Sequence, residues 1–271
     1  MNFKKVLIFF IFFLTVFLLV GQSGFTTMGG ANFLGYGRAG VNISGIEAIY
    51  MNQAGLAEIK DIAVDISAER RFNIQEFSNI SIAAAKSLTF GTIGMLISNF
   101  GFSEYNEQKF AIAYARRLHP NLLIGGQFDM LRYNIEKVGS RNVYTFEFGI
   151  QLKINKDLFI ASHVFSPGNV IVSETTEIGA RFRLGIMYKP SAKVFLLAEA
   201  DKVIYRAIEF KIGVSYQLVN DVQVRFGINP DAEFYSLGAM FKIKGKYRIA
   251  SAVALQDRLG NTPAISFQYS N

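Results

Sequence analysis

Long segments in which apolar and polar residues alternate constrain the fold of this chain more than any other feature. In segment 205–218, apolar residues at even positions from Ile208 to Leu218 alternate with polar or small residues. The segments 142–154 and 177–189 repeat this pattern. A period of two is typical of a β-strand with two different faces. It excludes an amphipathic α-helix, whose apolar residues recur every three or four positions.

Fourteen such segments follow one another from residue 61 onward, and most are long enough for a tilted strand to cross a bilayer. They are 61–70, 79–86, 88–101, 108–117, 121–133, 142–154, 157–166, 177–189, 192–201, 205–218, 221–229, 233–244, 247–256 and 262–270. Tight turns and somewhat longer connections alternate between them, as in bacterial outer-membrane barrels. The sequence therefore predicts an all-β fold, a transmembrane antiparallel β-barrel of about 14 strands spanning residues 61–271.

The polar faces of these segments distinguish a membrane barrel from a soluble β-sandwich or a water-soluble barrel, which are the alternatives for this pattern. These faces repeatedly carry charges, and the apolar faces collect tyrosines near the strand ends. We expect the charged side chains to form a network across the lumen. Its predicted members are Glu147, Arg181, Arg183, Glu199, Asp201, Glu209, Lys211 and Arg225.

One apolar run, 6–20, follows Lys4 and Lys5 and is followed by small residues, which predicts a cleaved secretory signal peptide over residues 1–23. An uncleaved anchor is the alternative, although a spanning helix needs about 20 apolar residues. The chain has no cysteine, which suits an exported barrel stabilised by its closed sheet. The formal net charge of +7 is scattered rather than gathered in a basic run, so no nucleic-acid partner is predicted.

Residues 24–60 are rich in glycine and small residues, and we predict that they form a plug inside the lumen. They contain a formal match to the dinucleotide-binding fingerprint, Gly35-Tyr36-Gly37-Arg38-Ala39-Gly40. That motif binds a pyrophosphate only between a strand and a helix of a βαβ unit. No such unit surrounds it here, so the glycines are interpreted as packing residues of the plug.

The stretch from Gly37 to Ala57, with Asn52-Gln53-Ala54-Gly55 near its end, resembles the N-terminal region of FadL-like outer-membrane barrels. It is most similar to the PorV/PorQ branch associated with type IX secretion in Bacteroidota. The resemblance implies fourteen strands and a location in the outer membrane of a Gram-negative, Bacteroidota-like bacterium. Gln53 occupies the position where the family has proline, and Asn52 can still form an Asx-type turn.

The residues give no sign of an enzyme. The chain has two histidines, His119 and His163, and no cysteine, so neither a metal site nor a nucleophile–base pair is predicted. The carboxylates of Glu199 and Asp201 are assigned to the lumen network rather than to acid–base chemistry. We therefore predict no catalytic residue, no metal and no cofactor.

Three functions compete: a scaffold or partner subunit of a secretion or assembly complex, a FadL-like passage for hydrophobic small molecules, and a general porin. A narrow, charged and plugged lumen disfavours the porin. The connections are short, the longest being about ten residues at 167–176, which leaves little chain outside the membrane to capture a ligand. The main hypothesis is therefore a non-catalytic partner of a larger secretion or barrel-assembly complex, surrounded by outer-membrane lipid and inserted by the barrel-assembly machinery. Hydrophobic transport is the alternative.

Overall fold

The computed structural model describes residues 29–168, 170–173, 176–231 and 234–271. The predicted signal peptide, 1–23, and residues 24–28 of the predicted plug lie outside the described residues. Fourteen antiparallel strands form a closed barrel in which each strand pairs with its neighbours in the chain and the first pairs with the last. Among the described residues, no helix is both long enough and apolar enough to cross a membrane. The predicted fourteen-stranded barrel is confirmed.

The barrel is built from strands of eight to fifteen residues. In chain order the strands are β1 (Ile62–Arg70), β2 (Ser78–Leu88), β3 (Gly91–Gly101), β4 (Tyr105–His119), β5 (Leu122–Ile135), β6 (Gly139–Lys153), β7 (Leu158–Phe165), β8 (Val170–Ser173), β9 (Thr176–Ile178), β10 (Arg181–Ser191), β11 (Val194–Val203), β12 (Ile208–Val219), β13 (Val222–Asn229), β14 (Phe234–Ile243), β15 (Tyr247–Gln256) and β16 (Gly260–Ser270). Strands β8 and β9 form a separate two-stranded hairpin and do not belong to the barrel.

Pairing between β1 and β16 closes the sheet, from Ala63 opposite Ser270 to Glu69 opposite Ala264. A closed sheet has no unpaired edge, so its backbone N–H and C=O groups bond within the wall. The wall also alternates in polarity as predicted. On β6 the side chains of Phe146 and Phe148 are exposed on the outer surface, whereas Glu147 between them is buried. The exterior is thus apolar and the interior polar, as a membrane barrel requires.

The two ends of the barrel differ in the length of their connections. At the inner end, defined here by the tight turns, the connections have two to four residues. At the outer end, the longest connections are 71–77 and 166–180. The segment 167–176 was predicted as an open loop and 177–189 as a strand. Instead, the chain turns at Ser166, which has a φ of 49°, forms the β8–β9 hairpin, and starts β10 only at Arg181. Alternation alone could not separate this hairpin from the strand that follows it.

Residues 29–60, called the N-terminal segment below, lie inside the barrel. They contain a short α-helix, α1 (Ala31–Leu34), and two 3₁₀ helices, η1 (Ile46–Tyr50) and η2 (Gln53–Glu58); two further 3₁₀ turns, η3 (Arg71–Asn73) and η4 (Gln75–Phe77), follow β1. Apolar side chains of η1 and η2 are fully buried against inward-facing alanines of β1, β2 and β4. Alanine at these wall positions leaves room in the lumen for a second layer of chain.

Candidate functional site: the barrel lumen

Glycines on the inner face of the wall bring it into contact with the backbone of the N-terminal segment. A Cβ added to Gly227 would lie 1.8 Å from the backbone nitrogen of Gly37, and one added to Gly125 would lie 2.4 Å from that of Ala54. Gly213 lies similarly close to the backbone of Tyr36, whereas Gly149 and Gly185 lie against the side chains of Asn52 and Val41. Only glycine fits such positions, so the wall has a belt shaped to this segment.

Backbone N–H groups of the segment also bond to inward-facing side chains. The amides of Gly40 and Val41 donate to one oxygen of Glu199, at 2.7 and 2.9 Å. The amide of Gly37 donates to Ser236 Oγ at 3.0 Å. Buried backbone donors need such partners, and here the barrel wall supplies them.

The predicted turn at Asn52-Gln53-Ala54-Gly55 begins η2. The Asn52 side chain accepts from the amide of Ala54 at 3.2 Å and donates to the carbonyl of Val41 at 2.9 Å. Gln53 Nε2 donates to Glu147 Oε2 at 2.9 Å. Gly55 packs so tightly that a Cβ would lie 2.7 Å from the Ile43 carbonyl. Gln53 thus makes a direct bond to the barrel wall, which a proline at this position could not make.

A charged cluster surrounds Glu147. Lys109 forms ion pairs with Glu147 and, at 3.2 Å, with Asp129. His163 Nε2 lies 2.8 Å from Glu147, and its Nδ1 lies 3.1 Å from an Arg183 nitrogen. Because arginine can only donate, Nδ1 accepts and Nε2 carries the proton donated to Glu147. Lys109, Asp129 and His163 were missing from the predicted network, although their inward positions follow from strand alternation.

A second cluster surrounds Asp201. Arg181 donates to both of its oxygens at 2.8 and 2.9 Å, Lys211 forms an ion pair with it, and Arg183 lies 3.6 Å away. Lys211 also lies 3.5 Å from Glu199. Arg183 therefore joins this cluster to the one around Glu147. Six predicted residues come together in this way: Glu147, Arg181, Arg183, Glu199, Asp201 and Lys211.

Two predicted network residues lie apart from these clusters. Arg225 donates to Gln223 at 3.0 Å, and its guanidinium stacks 4.6 Å from the ring centroid of Tyr36. It therefore holds the N-terminal segment rather than joining the ion pairs. Glu209 faces Asp201 across the β11–β12 pair and is half-buried, with no ion pair to any residue in the described ranges.

A polar cluster anchors the start of the N-terminal segment to β1. The Tyr50 hydroxyl donates to Asp65 Oδ1 at 2.6 Å, and Asn32 Nδ2 donates to Asp65 Oδ2 at 2.8 Å. Burial raises the pKa of Tyr50 well above its usual value, which keeps the hydroxyl protonated as a donor. Sequence analysis did not single out Asp65 as a site residue, although it lies at an inward position of the first strand.

Towards the outer end, the lumen is apolar on the side of β5–β7, whereas Glu69 forms ion pairs with Arg38 and Arg71 on the side of β1. The outer apolar cluster consists of Leu131, Tyr133, Val143, Phe165 and Ile178, with Val170 of the β8–β9 hairpin packed against it. Leu131 and Phe165 follow Asp129 and His163 of the cluster around Glu147 by two residues, so the two layers are adjacent on the same inner faces. Tyr133 is the only member with a polar side-chain group. The hairpin thus covers an apolar layer that lies directly above the charged layer.

Aromatic rings gather elsewhere on the outer end. Phe77 stacks on Phe100 with their centroids 6.3 Å apart, and Phe72 meets Phe77 edge-on at 6.4 Å. The Arg71 guanidinium lies 5.6 Å from the centroid of Phe100. Ile74 in the same connection is exposed. The connection 71–77 therefore presents an apolar surface beside the outer opening of the barrel.

Comparison with known proteins shows the fold. The chain is similar to the toluene transporter TbuX of Ralstonia pickettii, with 11% identity, a TM-score of 0.72, and coverage of 90% of this chain and 98% of the other. It is also similar to the CymD monoaromatic hydrocarbon channel, with 10% identity, a TM-score of 0.67, and coverage of 92% and 99%. A Pseudomonas aeruginosa FadL homologue matches with 10% identity, a TM-score of 0.67, and coverage of 90% and 99%. No family model and no curated protein matches the sequence.

The chain thus has the FadL-like barrel fold, and the main functional hypothesis is overturned. That hypothesis, a scaffold or partner subunit of a secretion or assembly complex, rested on the short outer connections. Barrels of this fold that match over nearly their whole length are a hydrocarbon channel and a toluene transporter. The inference failed because apolar contact surface can lie inside the barrel, beneath the hairpin, where it needs no long outer loops. These similar structures are described as transport proteins rather than enzymes.

Proposed function

We propose that this chain binds small hydrophobic molecules at the outer end of its lumen and passes them across the outer membrane of a Gram-negative bacterium. The observation that carries the proposal is the outer apolar cluster, which lies inside a barrel of the same fold as monoaromatic hydrocarbon channels. Leu131, Val143 and Phe165 point inward, at positions where a water-filled pore would carry polar groups. An apolar layer at that depth favours an apolar solute over a hydrated one.

The β8–β9 hairpin is the proposed cover of this site. Ile178 at its end is 2% exposed, and Val170 packs against the same cluster. A solute that replaces these contacts must displace the hairpin. Displacement exchanges one apolar contact for another. The main free-energy change is therefore that of the hairpin's own conformational entropy. The short hairpin is therefore suited to open and close over the site.

The N-terminal segment is the proposed barrier to polar solutes. It passes through the lumen against the glycine belt and bonds to Glu147 and Glu199. Its apolar residues Leu34, Ile46 and Leu56 are fully buried. We propose that this packing closes the middle of the barrel to ions and sugars, while the outer apolar cluster remains accessible from the hairpin side.

The finer family assignment is part of the proposal. The stretch from Gly37 to Ala57 supports the PorV/PorQ branch and a Bacteroidota source through its resemblance alone. Gln53, at the position of the family's proline, bonds to Glu147 and marks this chain as a variant of that motif. The proposed passage of hydrophobic molecules does not depend on the branch.

Crystals of the protein soaked with bromobenzene test the proposal directly, because bromine is located by its anomalous scattering. We expect one site among Leu131, Val143 and Phe165, with the hairpin shifted. Phe165→Ala should lose that site. The matched control is Phe128→Ala, which removes a ring from the exposed outer face of β5, two strands away from β7. Bromobenzene found only on the lipid-facing wall would contradict the proposal.

A further inference from the structure

A cavity of about 620 Å³ opens at the inner end of the barrel, opposite to the outer apolar cluster. Five basic side chains line it, against a single acidic side chain, Glu58. The basic residues are Lys60, Arg117, Lys153, Lys189 and Arg248. Volumes of 300 to 1,000 Å³ are typical of sites for small molecules. The charge and the size together indicate a site for a small anion.

Existing ion pairs neutralise only part of this charge. Arg117 lies 2.7 Å from Glu58, and Arg248 lies 3.5 Å from Glu47 outside the lining. Within the described parts of the chain, no carboxylate lies within ion-pair distance of the ammonium groups of Lys60, Lys153 and Lys189. Asp61, beside Lys60, accepts instead from the Asn271 side chain at 3.0 Å. Three lysines of the lining therefore have no ion-pair partner among the described residues.

Apolar side chains of the lining lie beside these basic residues. They include Ile59, Leu123, Phe159 and Met187. The Lys189 ammonium lies 4.7 Å from the centroid of the Phe159 ring, a cation–π contact that places a charge beside an aromatic face. An inorganic oxyanion would bind to the lysines and leave this apolar surface exposed to water. A molecule that contacts both the lysines and the apolar side chains carries an anionic group on a compact apolar body.

We propose that the inner cavity binds a small organic oxyanion, such as a carboxylate or phosphate attached to a single ring. Lys153 and Lys189 contact the anionic group, and Phe159 and Met187 contact the ring. The site lies at the end of the barrel opposite to the proposed hydrocarbon site. The two proposals therefore stand or fall separately.

Isothermal titration calorimetry of the purified full-length barrel in a neutral detergent tests the site, with benzoate and phenyl phosphate as probes. We expect saturable binding of at least one of them. Benzyl alcohol, which lacks the charge, and inorganic phosphate, which lacks the ring, should each bind at least tenfold more weakly. Glycerol phosphate represents a lipid headgroup, and we expect it to bind as weakly as inorganic phosphate.

The matched variants separate this cavity from the general positive charge of the inner end. Lys153→Gln combined with Lys189→Gln should weaken probe binding at least tenfold, and the corresponding arginine variants should retain most of it. Lys156→Gln removes a lysine from the neighbouring turn, where its side chain is 89% exposed and outside the cavity, and should leave binding unchanged. The heat-dependent gel mobility of each variant checks that the barrel is folded.

Several results would overturn the proposal. They are the absence of saturable binding in the folded wild type, equal binding of benzyl alcohol, inorganic phosphate or glycerol phosphate, and equal weakening by Lys156→Gln. Because bromobenzene binding is measured separately in soaked crystals, failure at the inner cavity is distinguishable from failure of the proposed hydrocarbon site.

Discussion

The outer end of the lumen beside β5–β7 and the inner end present different kinds of side chain. The outer end has a buried apolar cluster under the β8–β9 hairpin, whereas the inner end has a cavity lined by basic residues. The ion-pair clusters around Glu147 and Asp201 and the N-terminal segment lie between them. A uniform pore would present similar surfaces at both ends. The difference indicates two separate environments, each suited to a different class of solute.

Among the predicted effects, the largest is expected from removing the Asp201 carboxylate, which lies among the buried ion pairs between the two ends. Asp201→Asn leaves Arg181, Arg183 and Lys211 buried without their shared counter-charge. Loss of one partner of a buried ion pair costs roughly 3–5 kcal/mol. We expect the free energy of unfolding in urea to fall by about that amount. Glu209→Gln, directly opposite on β12, is the control, and its effect should stay within about 0.5 kcal/mol. If the two variants lowered the free energy of unfolding equally, the Asp201 carboxylate would not be what stabilises the buried ion pairs.

Displacing the N-terminal segment should have the next largest effect. In Gly227→Ala the new Cβ would lie 1.8 Å from the Gly37 nitrogen, so either the segment or the wall must shift. Overpacking of this kind costs roughly 1–3 kcal/mol. We expect measurable ion conductance in planar bilayers, where the wild type should be closed. In Gly126→Ala the new Cβ would have only the Glu147 carbonyl oxygen within 4 Å, at 3.5 Å. A closed Gly227→Ala barrel, or an open Gly126→Ala barrel, would contradict the proposed barrier.

The apolar character of the outer end is tested by Phe165→Ala. The ring is 6% exposed and packs in the outer apolar cluster. Its loss should weaken toluene binding about tenfold, equivalent to about 1.4 kcal/mol, with little change in benzoate binding at the inner end. Competition with bromobenzene, followed by proton NMR, measures the first quantity, and calorimetry measures the second. Parallel losses at both ends would show that the two environments are coupled rather than separate.

Ionic strength should affect the two ends differently, and this is the smallest expected effect. Raising salt from about 0.01 M to 1 M shortens the Debye length from about 30 Å to about 3 Å. Benzoate binding near Lys60, Lys153 and Lys189 should weaken several-fold, whereas toluene binding should hold or strengthen slightly. Titrations at the two salt concentrations measure both. If toluene binding weakened at high salt, a charged group would have to lie at the outer apolar cluster, which would contradict the account.

Strand alternation was sufficient to predict the barrel from the sequence. On β6, β10 and β12, apolar residues at every second position gave both the strand and the face that meets lipid. The β8–β9 hairpin was missed because Val170, Ile171 and Val172 of β8 do not alternate, and Ile178 of β9 continues the alternation of the next strand. The inward direction of Glu147, Arg183 and Asp201 followed from the same period. Their division into two joined clusters depends on pairing across strands far apart in sequence, which a single sequence does not give.

The function was harder to predict than the fold. Short connections at the outer end were interpreted as a lack of ligand-binding surface. The outer apolar cluster combines residues of β5, β6 and β7 with Ile178 of the hairpin, and no local pattern marks them as neighbours. The contacts of the N-terminal segment with Gly125, Gly149 and Gly227 were likewise hidden, since glycine in a strand has several possible causes.

Uptake into proteoliposomes tests the central claim most directly. The purified protein is reconstituted in vesicles, and accumulation of radiolabelled toluene bound by an enclosed acceptor is compared with that of a sugar. The wild type should speed toluene uptake above protein-free vesicles and exclude the sugar. Phe165→Ala should lose most of the toluene effect, and Phe128→Ala should retain it. Toluene uptake equal to that of protein-free vesicles, or uptake of the sugar by the wild type, would contradict the proposal that this barrel passes hydrophobic molecules.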